Sequence, residues 1–345
     1  VGRRSASTVA EMDAAVRALQ EHKDEWAGNP IPTKVGYLDA LIRDITAVSA
    51  EWVEQVISAQ RIAENDHAIG TEWMQGPYTT LRNLRCLRQS LLEIQSADLP
   101  RIPGRVTRRP NGQVSAQVFP QTFYDQVLFN GYRAEVWMDE SVTPENLPKT
   151  QALTYRTTPQ GKVSLVLGAG NLSGIPVTDA LDRLFVQNRV VALKMNPVND
   201  YLGPVFERGF RCLIEADYLQ ILYGGADEGA YLCQHPGVDD IFVTGSDKTF
   251  DAIVFGPGEA GAQHKRAKQR LLDKPVSGEL GNVTPAIIVP GKWSQADLEY
   301  QAENLASWLM GNAGSACNTP RVIILHAEWP QREAFLEALR RVYSQ

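Results

Sequence analysis

From Lys162 onward, short apolar runs alternate with helical stretches, and each run ends in a turn rich in small residues. No other feature of the chain limits its fold as much. Val163-Ser164-Leu165-Val166-Leu167 reads as a buried strand, followed by Gly168-Ala169-Gly170-Asn171 and a helix from about Pro176 to Asn188. Val190 to Lys194 is a second strand, with a helix near Tyr201 to Ala216. Leu219 to Tyr223 is a third, leading through Gly224-Gly225 into a short helix, and Asp240 to Ser246 is a fourth. Strands separated by helices predict an α/β fold with a doubly wound parallel sheet, because a parallel pair needs a crossover connection. Such sheets bind ligands at the carboxyl ends of their strands, where the glycine turns of this chain fall.

The 345 residues suffice for about two domains. Residues 1–99 carry helical spacing: Val9, Met12, Val16, Leu19 and Trp26, then a helix opened by Pro32, then one from about Glu72 to Ile94 with Leu81, Leu84, Leu87 and Leu91 as its stripe. Residues 100–158 read as a β-rich arm. Pro110-Asn111-Gly112 predicts a type I′ hairpin turn between Arg105-Val106-Thr107 and the run from Val114 to Val118, and a second β-rich stretch is expected from Phe123 to Trp137. The arm serves either subunit contact or as a simple edge sheet. Residues 159–278 form the Rossmann-like core that completes a dinucleotide-binding domain over 1–278. Residues 279–345 begin a second, thiol-bearing α/β domain.

Composition narrows the function. Lys plus Arg number 34 and Asp plus Glu 40, a net charge of −6, so the footprint of a nucleic-acid or anionic-membrane binder is lacking. No apolar run reaches the roughly 18 residues of a membrane helix, and no apolar segment backs the basic start. Four scattered cysteines predict neither a disulfide framework nor a metal site, and a cytoplasmic setting is expected.

Four places could carry chemistry. Gly168-Ala169-Gly170-Asn171-Leu172-Ser173-Gly174 is close to a dinucleotide fingerprint, with its third glycine one position late. Thr244-Gly245-Ser246 after a strand is either a phosphate cradle or a helix cap made by Ser246. Glu279-Leu280-Gly281-Asn282 brings a glutamate into a strand, where it must be paired, solvated or proton-accepting. Cys317 lies in Gly311-Asn312-Ala313-Gly314-Ser315-Ala316-Cys317-Asn318, whose small neighbours leave room for a substrate beside the thiol; a buried inert thiol is the alternative. Cys86, Cys212 and Cys233 read as packing residues.

Taken in order, these segments resemble the aldehyde dehydrogenase superfamily, in a divergent bacterial branch. The resemblance runs from about Pro159 to Leu325: Asn171 after its strand with Pro176 five residues on, Val191-Ala192-Leu193-Lys194, His235-Pro236-Gly237-Val238 before Phe242-Val243-Thr244-Gly245-Ser246, then Glu279-Leu280-Gly281 and Asn312-x-Gly314-x-x-Cys317. It implies NAD(P)-dependent oxidation of an aldehyde to a carboxylic acid. Cys317 would be the nucleophile, the Asn171 amide with the Cys317 backbone N–H the oxyanion site, and Glu279 the base that activates water. Lys194 would reach the adenosine ribose and Ser246 the pyrophosphate. Gly225, Gly229, Gly168, Gly245 and Leu280 would complete the cofactor-binding set. The family is usually dimeric or tetrameric, so a homodimer or homotetramer is expected.

The chain also departs from the family. Ala169-Gly170 replaces a frequent Pro-Trp, so the substrate tunnel differs. Pro197 replaces the acidic residue after the ribose lysine, which makes NADP as credible a cofactor as NAD. Phe250 replaces a phosphate-turn glycine, and the chain stops at Gln345, soon after Cys317, as a fragment would. These departures leave two alternatives: an acyl-thioester reductase or acylating enzyme using coenzyme A, and a catalytically incomplete nucleotide-binding protein.

Overall fold

The computed structural model describes residues 4–344. Helix α1 (Val9–Gly28) opens with a capping box in which the Thr8 hydroxyl accepts from the Glu11 N–H and Glu11 accepts from the Thr8 N–H. Helix α2 (Ile31–Gln60) follows, with Pro32 in its first turn, where no N–H is needed. The expected third helix is interrupted: α3 (Ala68–Trp73) and α4 (Thr79–Ala97) flank a π-helical turn over Met74–Tyr78. Pro77 causes this, since it lacks the N–H of a regular turn and its ring crowds the preceding one.

The arm holds β1 (Val106–Arg108) and β2 (Val114–Phe119), antiparallel with Arg108 opposite Val114. The turn is not type I′. Only Gly112 has positive φ (+89°), and its N–H donates to Arg109 O at 2.9 Å. Pro110, whose ring fixes a negative φ, occupies the second position instead. Nor is Phe123–Trp137 β-rich throughout. Thr122 and Asp125 form a capping box that starts helix α5 (Phe123–Leu128), and only β3 (Ala134–Trp137) is strand, antiparallel to β2.

A short helix α6 (Leu153–Arg156) leads to the main sheet. Its strands are β4 (Val163–Leu167), β5 (Val190–Lys194), β6 (Leu219–Leu222), β7 (Asp240–Gly245) and β8 (Val276–Leu280). They lie in the order β6-β5-β4-β7-β8, all parallel, so the winding reverses between β4 and β7. That reversal opens a crevice at the carboxyl ends of these two strands. The crossovers are α7 (Ile175–Leu181), α8 (Gly203–Gly209) with α9 (Arg211–Ile214), α10 (Ala226–Gln234), and α11 (Asp247–Phe255) with α12 (Gly258–Arg266). The single helix expected near residues 201–216 is thus two, parted at Phe210. Helix α1 lies across β4, β5 and β6, and α2 packs on α4 and α8. One core therefore joins the N-terminal helices to the sheet, through Leu19, Trp26, Leu38, Ile45, Trp52, Leu165, Val191 and Phe206.

The division expected after residue 278 falls inside β8, whose last residues still pair with β7. Beyond it, β9 (Pro285–Ile288) and β10 (Val322–Leu325) form a parallel pair covered by α13 (Gln295–Met310) and α14 (Arg332–Tyr343). This part has its own core of Leu298, Leu305, Trp329, Phe335 and Leu339. Among the described residues, no helix is long and apolar enough to cross a membrane.

Candidate active site

The crevice at the carboxyl edge is built first by the loop after β4. The Gly168 N–H donates to Lys194 O at 3.0 Å, and the Asn199 amide donates to Ala169 O at 3.2 Å. Gly170 lies against the Asn196 side chain, and Gly174 against the Gln75 carbonyl, where an added Cβ would come within 2.8 and 2.4 Å. The late third glycine thus serves close packing against the π-helical turn rather than a phosphate.

This loop presents Asn171 to the cysteine loop. The Asn171 amide donates to Ser315 O at 2.9 Å, and the Asn312 amide donates to Asn171 O at 2.8 Å. Asn312, Ala313 and Gly314 all have positive φ (50°, 48° and 74°). Such a run is costly for the two non-glycine residues, and the reciprocal amide bonds hold it in place. Cys317 follows, partly exposed, with its carbonyl accepting from Thr284 Oγ1 at 3.2 Å. Burial and then the neighbouring Glu279 carboxylate push its thiol up, while backbone N–H groups at Cys317 and Asn318 pull it down.

Glu279 stands on β8, the exposed edge strand, so it is solvated rather than buried. Its register partner on β7 is Thr244, whose hydroxyl donates to Asp179 of α7 at 2.7 Å. Burial raises the Asp179 carboxyl to about 6; the Thr244 bond opposes this and the charge of Glu279 adds to it. Asp179 and Asn199 were not among the residues marked by the sequence. Asp179 sits between Thr178 and Ala180 on a helix, and Asn199 in a polar loop, and neither pattern signals a site.

The remaining candidates lie along the same edge. Lys194 ends β5 almost wholly buried, and burial pushes its ammonium down while Glu228 opposes the shift. Gly225 precedes α10 and donates its N–H to Glu228 at 2.6 Å. Ser246 caps α11, accepting from the Thr249 N–H at 3.1 Å, so the capping alternative holds as geometry. Leu280 ends β8, and the next N–H, of Gly281, donates to Gly245 O at 3.2 Å. A Cβ on Gly225, Gly229 or Gly245 would meet nothing nearer than 3.8 Å. Gly225 and Gly245 leave room at the carboxyl ends of β6 and β7, Gly229 is buried within α10, and this room with the buried ammonium of Lys194 fits the backbone and phosphates of a dinucleotide. A separate cleft of 520 Å³, lined by Asp13, Arg17, Tyr231 and His235, lies at the opposite ends of the strands. Among the described residues no group of three His, Cys, Asp or Glu side chains could hold a metal ion.

The family model of the aldehyde dehydrogenases matches residues 141–345, more than half of the chain and all of this edge. The chain belongs to the aldehyde dehydrogenase family. Among curated relatives of the family, it is 24% identical to the N-succinylglutamate 5-semialdehyde dehydrogenase of Ectopseudomonas mendocina, over 92% of this chain and 60% of that protein. It is 33% identical to betaine aldehyde dehydrogenase 1 of Oryza sativa, over 35% of this chain and 21% of that one. Among solved structures, a mutant of aldehyde dehydrogenase C from Pseudomonas syringae, in complex with NAD+ and octanal, superposes with a TM-score of 0.65 at 15% identity, covering 99% of this chain and 56% of the other. The NADP-dependent glyceraldehyde-3-phosphate dehydrogenase of Bacillus halodurans, in complex with NADP, gives 0.59 at 17% identity, over 99% and 58%. The fold is shared with both. The chain spans 60% or less of the length of these family members.

Proposed function

We propose that this chain carries the dinucleotide-binding part and the reactive thiol of an NAD(P)-dependent aldehyde dehydrogenase that releases a carboxylic acid. The observation that carries this reading is the meeting of Cys317, Glu279 and Asn171, from three separate segments, at the crevice where the strand order reverses. Lys194, Ser246, Gly225, Gly229 and Gly245, along the same carboxyl edge, would hold the dinucleotide, with Gly168 and Leu280 beside it. When bound, that group supplies the hydride acceptor.

The chain's own residues supply the rest. The Cys317 thiol gives its proton to solvent, with the anion favoured by the backbone N–H groups at Cys317 and Asn318; the thiolate then bonds to the aldehyde carbon. The resulting oxyanion takes hydrogen bonds from the Cys317 N–H and the Asn171 amide, which has one N–H engaged by Ser315 O and a second to offer. After oxidation the carbon remains on Cys317 as a thioester. Glu279 takes a proton from water, the hydroxide adds to the thioester carbon, and the C–S bond breaks to release the acid. A carboxylate near enough to raise the thiol favours hydrolysis over transfer to coenzyme A. Pro197 supplies no carboxylate against a 2′-phosphate, so both NAD and NADP fit. The arm, with Phe123, Tyr124, Leu128, Tyr132 and Trp137 more than half exposed, is the surface we assign to subunit contact.

Single-turnover formation of reduced nicotinamide, across a panel of aldehydes with each cofactor, tests the reading. A stoichiometric burst is expected from wild type and none from Cys317→Ala. Glu279→Gln should slow acid release by roughly a hundredfold or more, with the acyl group trapped on Cys317 and visible by mass spectrometry. Full turnover by the glutamine variant at neutral pH would overturn the role of Glu279, and a burst from the alanine variant that of Cys317.

A further inference from the structure

One titratable group at the crevice has no part in the steps above. Asp179 points from α7 toward β7, where it accepts from the Thr244 hydroxyl at 2.7 Å. Thr244 and Glu279 are register partners on adjacent parallel strands, so their side chains leave the same face of the sheet. A second carboxyl group is thereby held one residue away from the carboxylate that faces Cys317.

We propose that Asp179 is a positioning residue for Glu279: held by Thr244, it is the second carboxyl of a coupled pair, and its ionisation sets how strong a base Glu279 is. This rests on the reading of Glu279 as the base for deacylation. Glu279 is exposed on the edge strand. Asp179, half-buried and facing that charge, keeps its proton until about pH 6. Above this pH a second negative charge faces Glu279 and raises its affinity for the proton of the attacking water. The other groups around Asp179 do not cancel this. Asp182 adds to the effect, Arg183 opposes it while paired with Asp182 at 2.9 Å, and Arg82 of the neighbouring α4 is engaged by Asp125 at 3.1 Å. Deacylation should therefore rise with pH around the ionisation of Asp179.

The test uses the chain with carboxyl-carbon-13-labelled aspartate, followed by NMR from pH 4 to 8, with the Asp179 signal assigned by its loss in Asp179→Asn. Its midpoint should lie near 6 in wild type. Glu279→Gln removes the facing charge and should move that midpoint to lower pH. Thr244→Val removes the bond to the carboxylate and should move it higher, and Thr244→Ser should restore it. Unfolding alone would not produce these opposite shifts. In single-turnover deacylation, Asp179→Asn should lose the rise near pH 6 and run about threefold slower above pH 7. An Asp179 midpoint unmoved by Glu279→Gln overturns the coupling, as does an unaltered deacylation profile in Asp179→Asn. The NMR arm needs no turnover, so a chain that gives no burst defeats the aldehyde-oxidation reading alone, and the midpoints still decide the coupling.

Discussion

Cys317 is a thiol under opposing influences. Burial and the Glu279 carboxylate hold it protonated above the ordinary range, whereas backbone N–H groups favour the anion. Removing the glutamate charge should therefore lower the thiol pKa. Alkylation by iodoacetamide, followed as a function of pH, should shift to lower pH in Glu279→Gln and run roughly two- to tenfold faster at pH 8. An unchanged profile would mean that the two side chains do not interact. At this scale the sequence marked Cys317, Glu279 and Asn171 because small neighbours, an acidic strand residue and a glycine turn are local patterns. It did not mark Asp179, because what distinguishes that aspartate is a hydroxyl 65 positions away.

Element α2 carries a conflict of a different kind. Its Lys34 is 1% exposed, with its ammonium bonded to Asn29 O at 3.0 Å and lying 5.3 Å from the ring of Trp26. Burial pushes it down to about 8 from 10.5. A lysine whose pKa falls on folding binds fewer protons in the native state, so the cost of burying its charge is fully present below pH 8 and disappears as pH rises past 10.5. Lys34→Met should therefore stabilise the protein by about 1–2 kcal/mol at pH 7, after the lost carbonyl contacts are counted, and by much less at pH 10. Urea midpoints at the two pH values check this. Other elements show how far local signals reach. Helices α1 and α2 and strands β4 to β7 follow apolar periodicity closely, since burial of one face is what the periodicity encodes. The Phe123–Leu128 segment misled because its aromatic content suggests strand, while a capping box just upstream decided for helix.

At the scale of the whole molecule, two cores are joined where β8 passes from the sheet toward β9. The smaller one depends on Trp293, Trp329 and Phe335, whose rings meet at 5.0 to 6.0 Å. If the C-terminal part is a separate cooperative unit, Phe335→Ala should cost it about 3–5 kcal/mol. Hydrogen exchange should then accelerate in β9, β10 and α14 and stay unchanged in β4 and β5. Equal acceleration in both places would show that the chain opens as one unit, against a division near β8. Either result bears on the site, because Cys317 lies on one side of that junction and Asn171 on the other.

The alternation of strands and helices, each motif that carries the family resemblance, and the candidacy of Cys317, Glu279 and Asn171 are determined by sequence, because each is a local pattern of neighbouring residues. Tertiary structure alone decided that Glu279 stands on an exposed edge strand, that Gly174 answers to the Gln75 carbonyl, and that Thr244 ties Asp179 to the face Glu279 occupies. Those outcomes depend on strand order and register, which bring together residues far apart in sequence, and no local pattern encodes them.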